Sequence, residues 1–153
     1  MDHPKAADIL LVEDNPSDAD LTLRTLSKHQ LANTVQWVKD GAEALDYLLR
    51  RGDFAARPDT QPRVVLLDLR LPRVDGLEVL KAMRADERTR LIPVVVMTSS
   101  TEDRDMISSY RFGANSFVSK PVGFAEFART VADLGMYWLI VNKSITADTQ
   151  AHG

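Results

Sequence analysis

The sequence contains no cysteine among its 153 residues. This absence excludes disulfide bonds and thiol catalysis. The chain also has no excess of positive charge, because 19 Lys and Arg residues stand against 22 Asp and Glu residues. A basic surface is the usual electrostatic signature of a nucleic-acid-binding protein. We therefore expect no nucleic-acid partner.

Long hydrophobic runs are missing as well. The uncharged apolar run at 134–142 is far shorter than the ~20 residues that span a bilayer, and no apolar signal segment follows the first residues. We expect a cytoplasmic protein without a membrane partner. The length predicts one domain at residues 1–142, followed by a flexible polar tail at 143–153.

Five short apolar segments alternate with helical segments along the chain. Such alternation predicts an α/β fold, a doubly wound sheet of five parallel strands with a (βα)5 order. The predicted strands are 8–12, 34–38, 64–68, 92–97 and 116–119. Five helices are predicted. The first is N-capped by Asn15 or Ser17 and runs through Lys28, the second follows an Asp40 cap, and the third begins at Asp75-Gly76. The fourth is capped by Ser100 or Thr101 and ends at Gly113, and the fifth runs from about Phe124 to Val141.

The third apolar segment, Val64 to Leu67, stops abruptly at Asp68. An unbroken β-branched run predicts a strand buried on both faces, as in a parallel sheet. Ligands bind such sheets at the carboxyl ends of the strands. Other strands end in Glu13-Asp14, in Thr98 and in Lys120, so three acids, a hydroxyl and an ammonium are expected to converge at one edge.

Three neighbouring carboxylates repel one another unless a cation joins them. Oxygen ligands of this kind suit Mg²⁺, with Mn²⁺ as a substitute. The chemistry that this set predicts is phosphoryl transfer onto Asp68, with the carboxylate as nucleophile. Lys120 would pair with the resulting anion, and the hydroxyl of Thr98 would donate a hydrogen bond to a phosphoryl oxygen.

These motifs resemble the response-regulator receiver domain of two-component signalling, which has a flavodoxin-like fold with strand order 2-1-3-4-5. The resemblance runs from Asp8 to about Val141. It implies that Glu13, Asp14, Asp68 and the backbone carbonyl of Arg70 hold the metal, and that Asp68 is the phosphoacceptor.

The resemblance also implies roles for the last strand and its neighbours. Thr98 is similar to the switch hydroxyl, Phe117 to the switch aromatic residue, Lys120 to the family's lysine, and Pro121 to the cis proline after it. Plain core packing is the alternative for Phe117, and helix capping is the alternative for Thr98.

The implied function is that of a stand-alone response regulator, phosphorylated by a partner histidine kinase and not an enzyme with its own substrate. The chain more narrowly resembles the small regulators that partner bacterial phytochrome histidine kinases, which would link it to light signalling. This resemblance rests on the longer loop after the second helix and on the segments 13–18, 108–110, 114–116 and 137–139. Two departures stand out. Arg70 is a long cation after the phosphoacceptor, and the interval from Asp14 to Asp68 (68 − 14 = 54 residues) is long, which places a surplus surface loop at 50–63.

The last helix carries two apolar stripes. One stripe includes Phe127 and Leu134 and should pack on the sheet. The second has nothing left in the chain to cover it, so we expect a homodimer through the fourth helix, fifth strand and fifth helix. The predicted interface residues are Ala128, Ala132, Met136, Leu139 and Ile140.

Two other functions fit parts of the pattern. A phosphohydrolase-like enzyme would need a second aspartate two residues after the nucleophile, where this chain has Arg70. A pseudo-receiver acting as a binding module would bind no Mg²⁺. Trp37 and Trp138 are expected to lie too far from the site to report metal binding by fluorescence.

Overall fold

The computed structural model describes residues 7–28, 35–98 and 110–134. Five parallel strands form one sheet in the order β2-β1-β3-β4-β5, which confirms the predicted fold. The strands are β1 (Ile9–Val12), β2 (Val35–Val38), β3 (Val64–Asp68), β4 (Val94–Thr98) and β5 (Ser116–Ser119). The helices are α1 (Pro16–Lys28), α2 (Gly41–Leu48), α3 (Gly76–Ala85) and the C-terminal helix (Phe124–Asp133).

The three central strands are buried on both faces. Every residue of β1 and β3 is buried, as are the first four residues of β4. Their side chains alternate between two cores, because successive residues of a strand point to opposite faces. Leu10, Val65 and Val96 belong to the core beneath α2 and α3, whereas Ile9 and Leu66 belong to the core beneath α1 and the C-terminal helix.

Short polar side chains begin the helices that follow the strands. Asn15 Oδ1 accepts hydrogen bonds from the N–H groups of Ser17 and Asp18 at the start of α1. Asp40 accepts from Glu43 N–H at α2, and Asp75 accepts from Glu78 N–H at α3. Each cap satisfies an N–H group that has no partner within the helix. The caps therefore fix where each strand end turns into a helix.

The segment between α2 and β3 is more ordered than the predicted surface loop. It contains a short 3-10 turn at Gly52–Phe54, and Arg57 is buried. The Arg57 side chain donates hydrogen bonds to four backbone carbonyls and to Gln61 Oε1. Its guanidinium also stacks on the ring of Tyr47 at 4.3 Å. A buried arginine, which the sequence did not reveal, holds this segment against the end of α2.

The C-terminal helix packs on the sheet through Phe127, which is fully buried. Ala128 is half-buried and Ala132 is exposed on its outer side. The other predicted interface residues, the predicted continuation of the helix to Val141, the tail at 143–153, and the helix start at 100–101 lie outside the described residues. Among the parts of the chain that the structure describes, no helix is both long and apolar enough to span a bilayer.

Candidate functional site

The strand ends bring three carboxylates together. Glu13 and Asp14 directly follow β1, and Asp68 is the last residue of β3. One carboxylate oxygen from each residue lies within 4.8 Å of the others. Glu13 and Asp68 are buried, whereas Asp14 is exposed to solvent. The cluster therefore has two buried acids at its base and one acid at its mouth.

Lys120, which follows β5, reaches into this cluster. Its Nζ lies 2.7 Å from Asp68 Oδ2 and 2.7 Å from Glu13 Oε1. Asp18, in the first turn of α1, is a third anionic neighbour at 3.2 Å. Burial alone would lower the pKa of the Lys120 ammonium, but the contacts with Asp68 and Glu13 outweigh it and raise that pKa above its usual value. Lys120 is thus fully charged and surrounded by carboxylates.

Glu13 is the acid most affected by its surroundings. Burial raises its pKa to about 7; Lys120 opposes the increase and the neighbouring Asp68 adds to it. Burial disfavours the charged form of a carboxyl group, and a second negative charge nearby has the same effect. Near neutral pH, Glu13 is therefore poised between its protonated and charged forms.

One carboxylate oxygen of Glu13 accepts no hydrogen bond from the described residues. Glu13 Oε1 is buried and has no hydrogen-bond partner among the described residues, although Lys120 Nζ approaches it at ion-pair distance. The pair meets the distance of an ion pair but not the geometry of a hydrogen bond. A buried oxygen without a donor is costly unless a cation or water satisfies it. The carboxylates of Glu13, Asp14 and Asp68 are ligands of the kind that suits a hard divalent cation.

The backbone around Asp68 fixes its carboxylate. Asp68 Oδ1 accepts a hydrogen bond from the N–H of Arg70 at 3.0 Å, while Oδ2 faces Lys120. Gly76 begins α3 beside the strand end, where an added Cβ would stand 2.4 Å from the carbonyl oxygen of Asp68. The absence of a side chain at this position lets α3 start against the end of β3.

The remaining predicted residues lie on or beside the strands that carry the cluster. Thr98 ends β4, and its carbonyl accepts from Lys120 N–H at 3.0 Å. Phe117 packs against the core beneath α2 and α3, and its ring meets that of Tyr110 edge to face with centroids 4.8 Å apart. The side chain of Arg70 is exposed. The Lys120–Pro121 peptide is cis, as the resemblance implied.

Sequence reasoning missed two neighbours of the site. Asp18 contacts Lys120 from 102 residues away, and no local pattern signals such a contact. Trp37 donates a hydrogen bond from Nε1 to the carbonyl of Glu13 at 2.8 Å. The expectation that Trp37 lies far from the site was therefore wrong. Pairing of β2 with β1 could have suggested the proximity, because Trp37 is near the carboxyl end of β2.

Comparisons with known proteins agree with this geometry. A protein of Methanothrix harundinacea (strain 6Ac), named probable methanogenesis regulatory protein FilR2, is 46% identical over 136 residues, which are 89% of this chain and 86% of that protein. A solved structure of the bacteriophytochrome response regulator AtBRR is 53% identical, covers 88% of this chain and 96% of its own, and has a TM-score of 0.80.

A third relative is described with a metal ion. Response regulator Rcp1 of Synechocystis sp. (strain ATCC 27184 / PCC 6803 / Kazusa) is 33% identical over 131 residues, 86% of this chain and 88% of that protein. A solved Mn²⁺-bound form of response regulator Rcp1 has a TM-score of 0.70 and 33% identity, and covers 89% of this chain and 95% of its own. The sequence profile of the response regulator receiver domain matches residues 9–132. This protein therefore belongs to the response regulator receiver domain family.

Proposed function

We propose that the protein accepts a phosphoryl group on Asp68 from a partner histidine kinase and signals through the resulting change in its surface. The observation that carries the proposal is the contact of one ammonium, Lys120 Nζ, with Asp68 and Glu13 at 2.7 Å each. A carboxylate at the end of a buried strand, with a cation fixed beside it, is suited to receive a dianionic group.

The reaction is a displacement at phosphorus. A carboxylate oxygen of Asp68 forms a bond to phosphorus as the bond from phosphorus to the kinase histidine nitrogen breaks. That nitrogen keeps the electron pair, and no oxidation or reduction occurs. The Arg70 N–H and Lys120 hold the two oxygens of Asp68 in a fixed orientation, which reduces the entropy lost on reaching the transition state.

Glu13, Asp14 and Asp68, with the backbone carbonyl of Arg70, would hold Mg²⁺, and Mn²⁺ would serve as well. When bound, the ion supplies positive charge against the phosphoryl oxygens. The buried Glu13 oxygen that lacks a hydrogen bond supports a cation at this place. The Mn²⁺-bound form of the relative Rcp1 supports a divalent ion of this size.

The output would be conformational. Lys120 would turn from the Asp68 carboxylate to a phosphoryl oxygen, and Thr98 would donate its hydroxyl to another. Phe117 would follow Thr98 inward, which would reshape the face formed by the helix before β5, β5 itself and the C-terminal helix. A homodimer through that face is the expected readout, and the exposure of Ala132 supports it. On this proposal the protein turns over no substrate of its own and transfers only its phosphoryl group to water.

The kinase is best sought among bacteriophytochromes. The relative AtBRR, described as a bacteriophytochrome response regulator, shares 53% identity and almost its whole length with this chain. The relative FilR2, 46% identical, is named a probable methanogenesis regulatory protein, a name that points to no phytochrome. A kinase panel should therefore include both phytochrome and non-phytochrome kinases.

The test is labelling with acetyl phosphate and with a purified phytochrome histidine kinase, each with and without Mg²⁺. We expect the wild type to incorporate label only with Mg²⁺, and Asp68→Asn to incorporate none. Asp75→Asn is the matched control, because Asp75 caps α3 a few residues away and should be labelled like the wild type. Equal labelling of the wild type and Asp68→Asn would contradict the proposal. A wild type that binds no Mg²⁺ by calorimetry would favour a pseudo-receiver.

A further inference from the structure

Asp18 is an acid of the site that neither the metal cluster nor the phosphoacceptor accounts for. It lies in the first turn of α1. Its Oδ2 lies 3.2 Å from Lys120 Nζ and its side chain is 38% exposed. It therefore touches the ammonium from the solvent side, while Glu13 and Asp68 touch it from inside.

We propose that Asp18 is a positioning residue that competes with the phosphoryl group for Lys120. This inference rests on the proposed function and concerns how fast the group is accepted. An ammonium has three N–H donors and no acceptor. In this structure Lys120 donates hydrogen bonds to Asp68 and Asp18 and lies at ion-pair distance from Glu13. A phosphoryl oxygen can be paired with Lys120 only as one of these contacts loosens or is shared.

Of the three acids that contact Lys120, only Asp18 is neither the phosphoacceptor nor a member of the metal cluster. It therefore remains a free competitor for the ammonium after phosphorylation. Asp68 becomes the acyl phosphate, and Glu13 belongs to the metal cluster. The ion pair of Asp18 with Lys120 must loosen before the ammonium can pair with the phosphoryl group, and a partly solvated pair of this kind is worth about a 3- to 10-fold change in rate. Asp18 thus slows acceptance of the phosphoryl group and draws Lys120 back when the group is lost.

The chain offers a matched control on the same helix. Asp20 is two residues further along α1 and pairs with Arg24 at 2.9 Å, with both side chains more than half exposed. Asp20→Asn removes the same charge from the same helix without touching Lys120. Asp18→Glu is a second comparison, because it keeps the carboxylate and shifts it by one methylene group.

The experiment measures the second-order rate constant for phosphorylation by acetyl phosphate with saturating Mg²⁺. We expect Asp18→Asn to react about 3- to 10-fold faster than the wild type, Asp20→Asn to stay within about 2-fold, and Asp18→Glu to return toward the wild type. In a Lys120→Ala background, Asp18→Asn should have no effect, because the competition runs through the ammonium. Loss of a structural contact alone would not accelerate the reaction.

Three results would overturn the inference while leaving the proposed function intact. The first is a rate for Asp18→Asn equal to that of Asp20→Asn. The second is an acceleration that persists without Lys120, which would mean that Asp18 acts through the general field of the protein. The third is an Asp18→Glu variant as fast as Asp18→Asn. A wild type that is not labelled at all would instead refute the proposed function, and this inference with it.

Discussion

Lys120 and Arg57 are both cations with largely covered side chains, at opposite ends of the sheet, and their partners differ in kind. Lys120 lies at the carboxyl ends of the strands among Glu13, Asp18 and Asp68. Arg57 lies beyond the C-terminal end of α2 and is surrounded by backbone carbonyls and the ring of Tyr47. One cation therefore meets charged groups, and the other meets neutral ones.

The difference separates a site that can exchange partners from one that only holds the fold. Around Arg57 each described acceptor is a neutral carbonyl of the protein itself. This cation therefore has no charged partner that it could exchange for a ligand. Around Lys120 there is more negative charge than one ammonium neutralises, and Glu13 Oε1 still lacks a hydrogen bond. A second cation and an incoming phosphoryl group can both be accommodated there.

The comparison predicts a large structural effect at Arg57. Arg57→Ala should lower the free energy of unfolding by about 3 kcal/mol, because several buried carbonyls lose a charged donor at once. Phosphorylation of Asp68 should stay within about 2-fold of the wild type, since the two ends of the sheet share no partners. Urea denaturation measures the first effect and acetyl phosphate labelling the second.

Arg51→Ala is the control for this substitution. Arg51 is exposed and pairs with Asp46 at 2.9 Å, and an exposed pair of this kind contributes roughly 0.2–1 kcal/mol. An Arg57→Ala variant no less stable than Arg51→Ala would contradict the view that Arg57 anchors the segment between α2 and β3.

Lys120→Ala should also destabilise the protein, but a bound metal ion should restore most of the lost stability. Removing the ammonium leaves Glu13 and Asp68 buried beside each other, at a cost on the order of 2 kcal/mol. Added Mg²⁺ should recover most of this loss by binding the folded state. Thermal unfolding with EDTA and with Mg²⁺ measures the recovery. Mg²⁺ should stabilise Arg57→Ala no more than it stabilises the wild type. If Mg²⁺ restored the stability of both variants equally, Lys120 could not be distinguished from Arg57 as part of a metal-binding site.

The raised pKa of Glu13 predicts that the stability of the metal-free protein depends on pH. Its pKa is raised to about 7 in the folded protein, from an ordinary value of 4.5. The folded state therefore keeps a proton that the unfolded state releases, and this contribution to stability is complete below about pH 4.5 and is lost as the pH rises through about 7. The loss should be on the order of 1–3 kcal/mol for this group.

Glu13→Gln should remove that decline, so that the variant is more stable than the wild type at pH 8 and similar to it at low pH. Urea midpoints between pH 5 and pH 8 in EDTA test the prediction. Glu78→Gln, at an exposed position on α3, is the control for losing one carboxylate. A Glu13→Gln variant whose stability falls with pH as steeply as that of the wild type would contradict it.

The smallest expected effect is optical. The Trp37 indole N–H binds the Glu13 carbonyl, so an ion bound at Glu13 should change its fluorescence. The chain has two tryptophans, and Trp138→Phe would leave Trp37 alone. We expect a saturable change of roughly 10% with Mg²⁺, absent in Asp14→Asn, which lacks a metal ligand. An equal change in both proteins would show that Trp37 does not report this site.

The sequence predicted what local patterns encode. The five strands were visible as short apolar runs, and the caps Asp40 and Asp75 as polar residues before helices. The convergence of Glu13, Asp14 and Asp68 followed from parallel topology alone, because parallel strands end at one edge.

Contacts between distant residues were not visible. Asp18 looks like any acid in a first helical turn, where negative charge favours the helix dipole. Arg57 looks like a surface residue of a polar loop, because burial of an arginine depends on carbonyls that only the fold assembles. Trp37 seemed remote because the sequence does not say which way its side chain points.

The central claim is that the phosphoryl group is carried by Asp68 beside Lys120. An acyl phosphate on aspartate is reduced by borohydride to homoserine, so peptide mass spectrometry after reduction locates the modified residue. We predict homoserine at position 68 in the phosphorylated wild type and none in protein that was not exposed to a phosphodonor. Homoserine at Asp14 or Asp18, with Asp68 unchanged, would contradict the account.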